Sequence, residues 1–164
     1  MRTMKSTYPL LFAVAVLLSL AGCKETIEGE LGTPFDKVAG MTGDWELHAF
    51  TQTDLNNPVQ EQRDLTFLYT EGVTQPLTLS FDAEGTYAVA LEQGKNYFGE
   101  GGTWTFDDLN YPTFLLLDTG TDTLEFNLGA VVRPFDQDMS IEIQKGCDGT
   151  ETVIYSFDFT RKSE

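Results

Sequence analysis

The chain has 164 residues, 26 acids against 10 bases, and a formal net charge of −16 at neutral pH. That length holds one domain with its own core. The charge repels phosphate backbones and anionic lipid, which argues against a nucleic-acid partner.

The first element is a short apolar run. Arg2 and Lys5 precede Pro9 to Ala21, thirteen residues with one polar side chain, Ser19. A spanning helix needs about 20 apolar residues, so this run is too short to cross a bilayer and has the layout of a secretory signal. Leu20-Ala21-Gly22-Cys23 resembles the lipobox of bacterial lipoproteins. That resemblance implies cleavage after Gly22 and acyl chains on Cys23, which would anchor the chain to a membrane. Residues 1–22 then form a lipoprotein signal peptide. Its removal leaves 142 residues and takes away two bases and no acids, so the net charge becomes −18. With Cys23 acylated, Cys147 is the one thiol left and no intrachain disulfide forms. Cys147 lies in Lys145-Gly146-Cys147-Asp148-Gly149, a turn-like run, and reads as structural.

Residues 23–38 read as a polar, Glu-rich tether followed by a short helix. Thr33-Pro34 has the form of a helix start, with Thr as N-cap and Pro in the first turn, and Gly40 is expected to end it. Beyond Gly43 the period is two. Trp45, Leu47 and Ala49 alternate with Glu46 and His48; Leu77, Leu79 and Phe81 follow, then Tyr87, Val89 and Leu91. Trp104 and Phe106, Phe114 to Leu117, and Leu124, Phe126 and Leu128 continue the series. Met139, Ile141 and Ile143 come next, and Val153, Tyr155, Phe157 and Phe159 close it.

These eight segments predict an all-β domain over residues 39–162, folded as an eight-stranded antiparallel up-and-down barrel, with a β-sandwich as the other arrangement. Thr51 to Gln75 breaks the rhythm. There Asp64 before Leu65, Phe67 and Leu68 predicts a short helix over one end of the barrel, the alternative being a ninth strand.

Gly43-Asp44-Trp45 after a short helix resembles the start of a lipocalin. Phe81-Asp82-Ala83-Glu84-Gly85-Thr86-Tyr87 and Gly102-Thr103-Trp104 resemble the small lipocalin-like lipoproteins of Bacteroidota, many of them domains of unknown function. The resemblance implies that Trp45 packs across the closed end of the barrel. A base of the last strand, Arg161 or else Lys162, would stack on it. It also implies a ligand pocket but no reaction. Lys24-Glu25, with Glu28 and Glu30, resembles the address that sends such lipoproteins to the cell surface, so the expected place is the outer membrane, on its periplasmic or its outer side.

No nucleophile elbow, zinc helix, phosphate loop or dinucleotide fingerprint is present, so no enzyme, cofactor or metal is expected. The lone His48 falls on the polar face. The acids crowd turns, where Asp accepts turn hydrogen bonds. The pairs Asp118/Asp122 and Asp136/Asp138 have calcium-like spacing without the calcium-loop pattern. The inward face is expected to carry Trp45, Phe81, Tyr87, Trp104, Phe106, Phe114, Phe126, Tyr155, Phe157 and Phe159, with no charge among them. Of these, Trp45, Phe81, Tyr87, Trp104, Phe126 and Tyr155 are the candidate contacts for a small, apolar, uncharged ligand. Small residues at one end, which a roomy calyx needs, are provided by Ala49 and Val89 alone. The expected protein is thus a monomeric, membrane-anchored binder of a small apolar molecule. The alternative is an envelope adaptor with a filled barrel and binding loops.

Overall fold

A sheet whose strands are apolar on one face must bury that face by closing or by stacking. Here it closes. The computed structural model describes residues 34–147 and 150–162. The expected signal peptide, Cys23, the expected address at Lys24 to Glu30 and the expected Thr33 cap lie outside the described residues, as does the side chain of Cys147. In chain order the elements are α1 (Lys37–Met41), β1 (Gly43–Asp54), β2 (Gln62–Asp64), α2 (Phe67–Thr70), β3 (Thr78–Phe81) and β4 (Thr86–Ala90). They continue with β5 (Gly101–Phe106), β6 (Phe114–Asp118), β7 (Thr123–Leu128), β8 (Asp138–Cys147) and β9 (Thr150–Arg161).

Strands β3 to β9 pair antiparallel in sequence order, and β1 joins β3 to β9. The result is a closed, lipocalin-like barrel of eight antiparallel strands. The strand β2 lies outside that ring, on the far half of β1 (Thr51↔Asp64 to Thr53↔Gln62). The irregular segment 51–75 therefore holds both a ninth strand and a helix. Asp64 does not cap that helix: its Oδ1 accepts the Thr66 N–H at 2.9 Å, and Thr66 occupies the cap position of α2.

Two details of the strand pattern differ from the sequence expectation. In β1 the register slips by one residue between Leu47↔Phe159 and Ala49↔Asp158. His48 is the extra residue of this bulge and stays exposed, and the inward position after Leu47 passes to Phe50, which is buried, while Ala49 is half-buried. In β6 the inward residues are Leu115 and Leu117, fully buried opposite Phe106 and Trp104. Phe114 therefore points outward and is 37% exposed. A continuous apolar run carries no alternation from which its buried face could be read.

The floor of the barrel is built around Trp45. Its ring is fully buried, and its Nε1–H donates to the Met41 carbonyl at 2.8 Å. The Arg161 guanidinium lies 4.3 Å from the ring centroid. Arg161 also donates from Nη1 to Thr42 O and from Nη2 to Gly40 O, both at 2.6 Å, and from Nε to Asp136 O at 3.2 Å. One cation thus ties α1, the β7–β8 connection and β9 to the floor. Lys162 does not stack; it reaches Glu46 Oε2 at 3.7 Å near the surface.

The helix α1 is displaced along the chain from its expected start. Asp36 rather than Thr33 caps it, Oδ1 accepting the Val38 and Ala39 N–H groups at 2.9 and 3.1 Å. Gly40 lies inside the helix, not after it. A Cβ there would stand 2.0 Å from the Val132 carbonyl oxygen, so the close approach of the β7–β8 connection requires glycine. Gly43 combines φ +128 with the Arg161 Nη1 atom 2.8 Å from where its Cβ would be.

Charge-assisted hydrogen bonds and a partly desolvated cation–π contact are each favourable, but their contributions do not add, and water replaces part of what a removed guanidinium gave the carbonyls. Replacement Arg161→Ala should lower unfolding free energy by about 2–4 kcal/mol in denaturant titration. Lys162→Ala should stay within about 0.5 kcal/mol of wild type. Equal effects of the two would contradict the clamp.

Candidate functional site: the barrel interior and its lid

The six candidate contacts are brought inside the barrel, but into three separate places. Trp45 forms the floor under Arg161. Phe81, Tyr87 and Trp104 make a wall cluster, with Phe81 5.5 Å from Trp104 and 6.2 Å from Tyr87 between ring centroids. The Trp104 Nε1–H donates to Asp82 O at 3.1 Å and its ring meets Phe106 edge-on at 5.4 Å. Phe126 lies deep in the interior, and half-buried Tyr155 lies towards the mouth, where β1 ends and β9 begins.

The space between these places is occupied by side chains that sequence periodicity did not single out. The connection between β4 and β5, residues 91–100, turns back into the mouth and inserts Phe98, which is fully buried. Its ring stacks on Phe126 at 4.9 Å and meets Phe157 at 5.0 Å and Phe159 at 6.1 Å. Its carbonyl accepts the Tyr87 O–H at 2.7 Å, and its N–H donates to Asn96 Oδ1 at 2.9 Å. Phe98 thus occupies the position along the axis that a slender apolar guest would take.

Above it lies a second aromatic layer. Phe50 stacks on Phe157 at 4.6 Å and on Tyr155 at 5.7 Å, and receives the edge of Tyr69 from α2 at 5.1 Å. Tyr97 fills the remaining side, 5.3 Å from Tyr155 and 5.5 Å from Phe157, with Lys95 Nζ 4.8 Å over its ring. The two lid segments are tied together: Tyr69 O–H donates to Lys95 O at 2.7 Å, and Glu92 accepts the Thr74 O–H at 2.6 Å and its N–H at 3.0 Å. Gly94 and Gly99 flanking two adjacent aromatics, Tyr97 and Phe98, were the one sequence signal of an inserted loop.

Burial acts on the phenols in one direction. Desolvation, then the neighbouring Tyr155, pushes Tyr97 up to about 12, and burial also raises Tyr69 and Tyr87 above the ordinary value of 10.0. The acids act instead as turn acceptors. Asp107 is held below the usual carboxylate range by the Phe114 and Thr113 N–H groups it accepts. Asp136 is lowered chiefly by Arg133, 3.0 Å away. Asp118 Oδ1 accepts the Gly120 N–H at 2.8 Å. Among the described residues no group of three or more His, Cys, Asp and Glu side chains is placed to hold a metal ion.

The larger concavities are surface grooves open to solvent. One of about 460 Å³ lies between β7 and β8, and one of about 480 Å³ lies beside Tyr97 and the β6–β7 turn. What fold and interior define together is a lipocalin-like barrel whose calyx is filled by its own aromatic side chains. No family model matches the chain, and no curated protein shows significant sequence similarity to it.

Two outcomes follow from this packing. Phe98→Ala should cost about 3–5 kcal/mol and leave a dry apolar cavity; the variant should bind benzene or xenon, detected as a rise in melting temperature, while wild type should not. A wild type that binds them equally would mean the axis is already open.

The phenol pKa values are raised on folding, so their contribution is complete below pH 10 and is lost as pH rises towards about 12. The melting temperature should fall across that window, with phenolate absorbance appearing late. A single absorbance wave at pH 10 would contradict burial of these hydroxyls.

Proposed function

We propose that this chain is a lipocalin-like lipoprotein of the outer membrane, anchored through acyl chains on Cys23, non-enzymatic, and working through its outer surface as an interaction module of the envelope. The observation that carries the reading is Phe98. An interior plugged by the chain's own aromatic rings leaves recognition to the outer grooves and connections. The lipobox-like Leu20-Ala21-Gly22-Cys23 supports the anchor, and the −18 charge of the processed chain supports an exposed, soluble barrel on a tether.

A second reading rests on the two lid segments. Tyr69, Tyr97 and Phe98 all belong to connections rather than barrel strands, so a small apolar, uncharged guest would enter by displacing that lid. It would then contact Phe81, Tyr87, Phe126 and Tyr155.

Labelling of growing cells with an alkynyl palmitate, combined with photo-crosslinking from surface positions of the barrel, tests the leading reading. Label should enter the chain and vanish in Cys23→Ser, and discrete crosslinked species should form in intact cells. Loss of label with no crosslink from any face would leave an anchored protein without a partner and overturn the interaction module. Label retained in Cys23→Ser would overturn the anchor.

A further inference from the structure

The barrel wall has one weak seam. Between β7 and β8 the ladder holds only Asn127↔Glu142 and Leu128↔Ile141, continued past β7 by the Gly129 N–H to Ser140 O at 3.1 Å. Both neighbouring ladders are longer: β6–β7 pairs five positions, and β8–β9 runs the full length of β8. Towards the mouth β7 and β8 therefore part company. The groove of about 460 Å³ opens in that gap, lined by Phe114, Leu124, Glu125, Glu142, Ile143 and Lys145 among others.

The orientation of the β7 backbone follows from two bonds. The Leu128 N–H points to Thr113 beside β6, and the Gly129 N–H points to β8. Alternation then turns the peptide groups of Thr123 and Glu125 towards the groove, at positions β8 does not pair. An unpaired strand edge at a gap is a template for an added strand. The base of the groove is apolar: Ile143 is buried, Leu124 is half-buried, and Phe114 is 37% exposed beside them. Among the described residues its rim carries the carboxylates of Glu125 and Glu142, the latter accepting the Ser156 O–H at 2.9 Å, and the cation Lys145. Glu125 makes no ion pair among the described residues.

We propose that this seam is a binding site for an extended segment of a partner protein, added as a strand along Thr123–Phe126 between β7 and β8. The segment it fits alternates apolar residues with lysine or arginine. Apolar side chains would face Leu124 and Ile143, the cations would face Glu125 and Glu142, and the main chain would satisfy Thr123 and Glu125. The inference rests on the interaction-module reading and assigns it a place and a ligand chemistry. A net charge of −18 draws cationic segments to the surface, but the edge and the apolar base select an extended one.

The test uses the purified full chain and three capped hexapeptides. One alternates lysine with valine, one alternates glutamate with valine, and one is the lysine peptide N-methylated at alternate amides. Titration is followed by amide chemical shifts and by fluorescence anisotropy. The lysine peptide should bind at least ten-fold tighter than either control, with shifts concentrated at Thr123–Phe126 and residues 143–145. The double variant E125K/E142K should lose at least ten-fold in affinity, and E125K alone, which leaves the Ser156 O–H bonded to Glu142 Oε1 at 2.9 Å, should weaken binding while keeping the wild-type melting temperature. Equal binding of the N-methylated peptide would reduce the effect to charge adsorption, and shifts centred on residues 91–100 would move the site to the mouth. Either result overturns the seam, as does no binding at millimolar peptide. If cellular crosslinks persist in E125K/E142K and the peptide fails, the seam falls and the interaction module stands. If no crosslink forms from any face, the module itself falls.

Discussion

Everything in this barrel depends on β1 reaching both of its neighbours. Its first turn of strand pairs with β3, while the ladder to β9 extends from Trp45↔Arg161 to Asp54↔Val153. Without that second ladder the one-sided sheet would leave a row of aromatic rings in water. A single bulge at His48 lets β1 bend enough to keep the ladder, and it also turns Phe50 inward. Closure and interior packing are therefore one event: the residue that bends the strand decides which ring enters the core.

Arg161 shows how that closure is secured at the floor. A guanidinium stacked on a buried indole and bonded to three backbone carbonyls satisfies the end of α1 and the β7–β8 connection together. It is held where a lysine's single ammonium could not make the same set of contacts. At the other end the closure is made by carbon rather than charge. Phe98 and the tyrosine layer above it fill the axis, with the Tyr69 and Tyr87 hydroxyls donating to the lid carbonyls of Lys95 and Phe98.

The strands were legible in the sequence because their signals are local and periodic, whereas the Trp45–Arg161 pair was implied by the resemblance of Gly43-Asp44-Trp45 to a lipocalin start. Alternation over five or six residues marks a half-buried strand, and a tryptophan just after Gly43-Asp44 carries its own context. Phe114 was misread because an unbroken apolar run has no phase. Ala49 was placed inward because a bulge in a non-glycine strand leaves no mark on the pattern. The lid escaped for a different reason. Tyr69, Tyr97 and Phe98 lie in aperiodic connections, and their burial is decided by which loop folds back over the mouth. That is a tertiary outcome, hinted at only by the adjacent aromatics between Gly94 and Gly99. The sequence thus placed the six candidate rings on the inward face, but not the side chains that fill the space between them.

The filled axis is also what separates a carrier from an adaptor. A lipocalin-like barrel with an open calyx and one with a plugged calyx share strand order, closure and floor, and they differ in a few rings at the mouth. Native mass spectrometry of the protein extracted from its own cells reads that difference directly. The expected mass is that of the processed, acylated chain with no further apolar adduct. A stoichiometric apolar compound that leaves on organic extraction would contradict it and would place Phe98 outside the axis in the native protein.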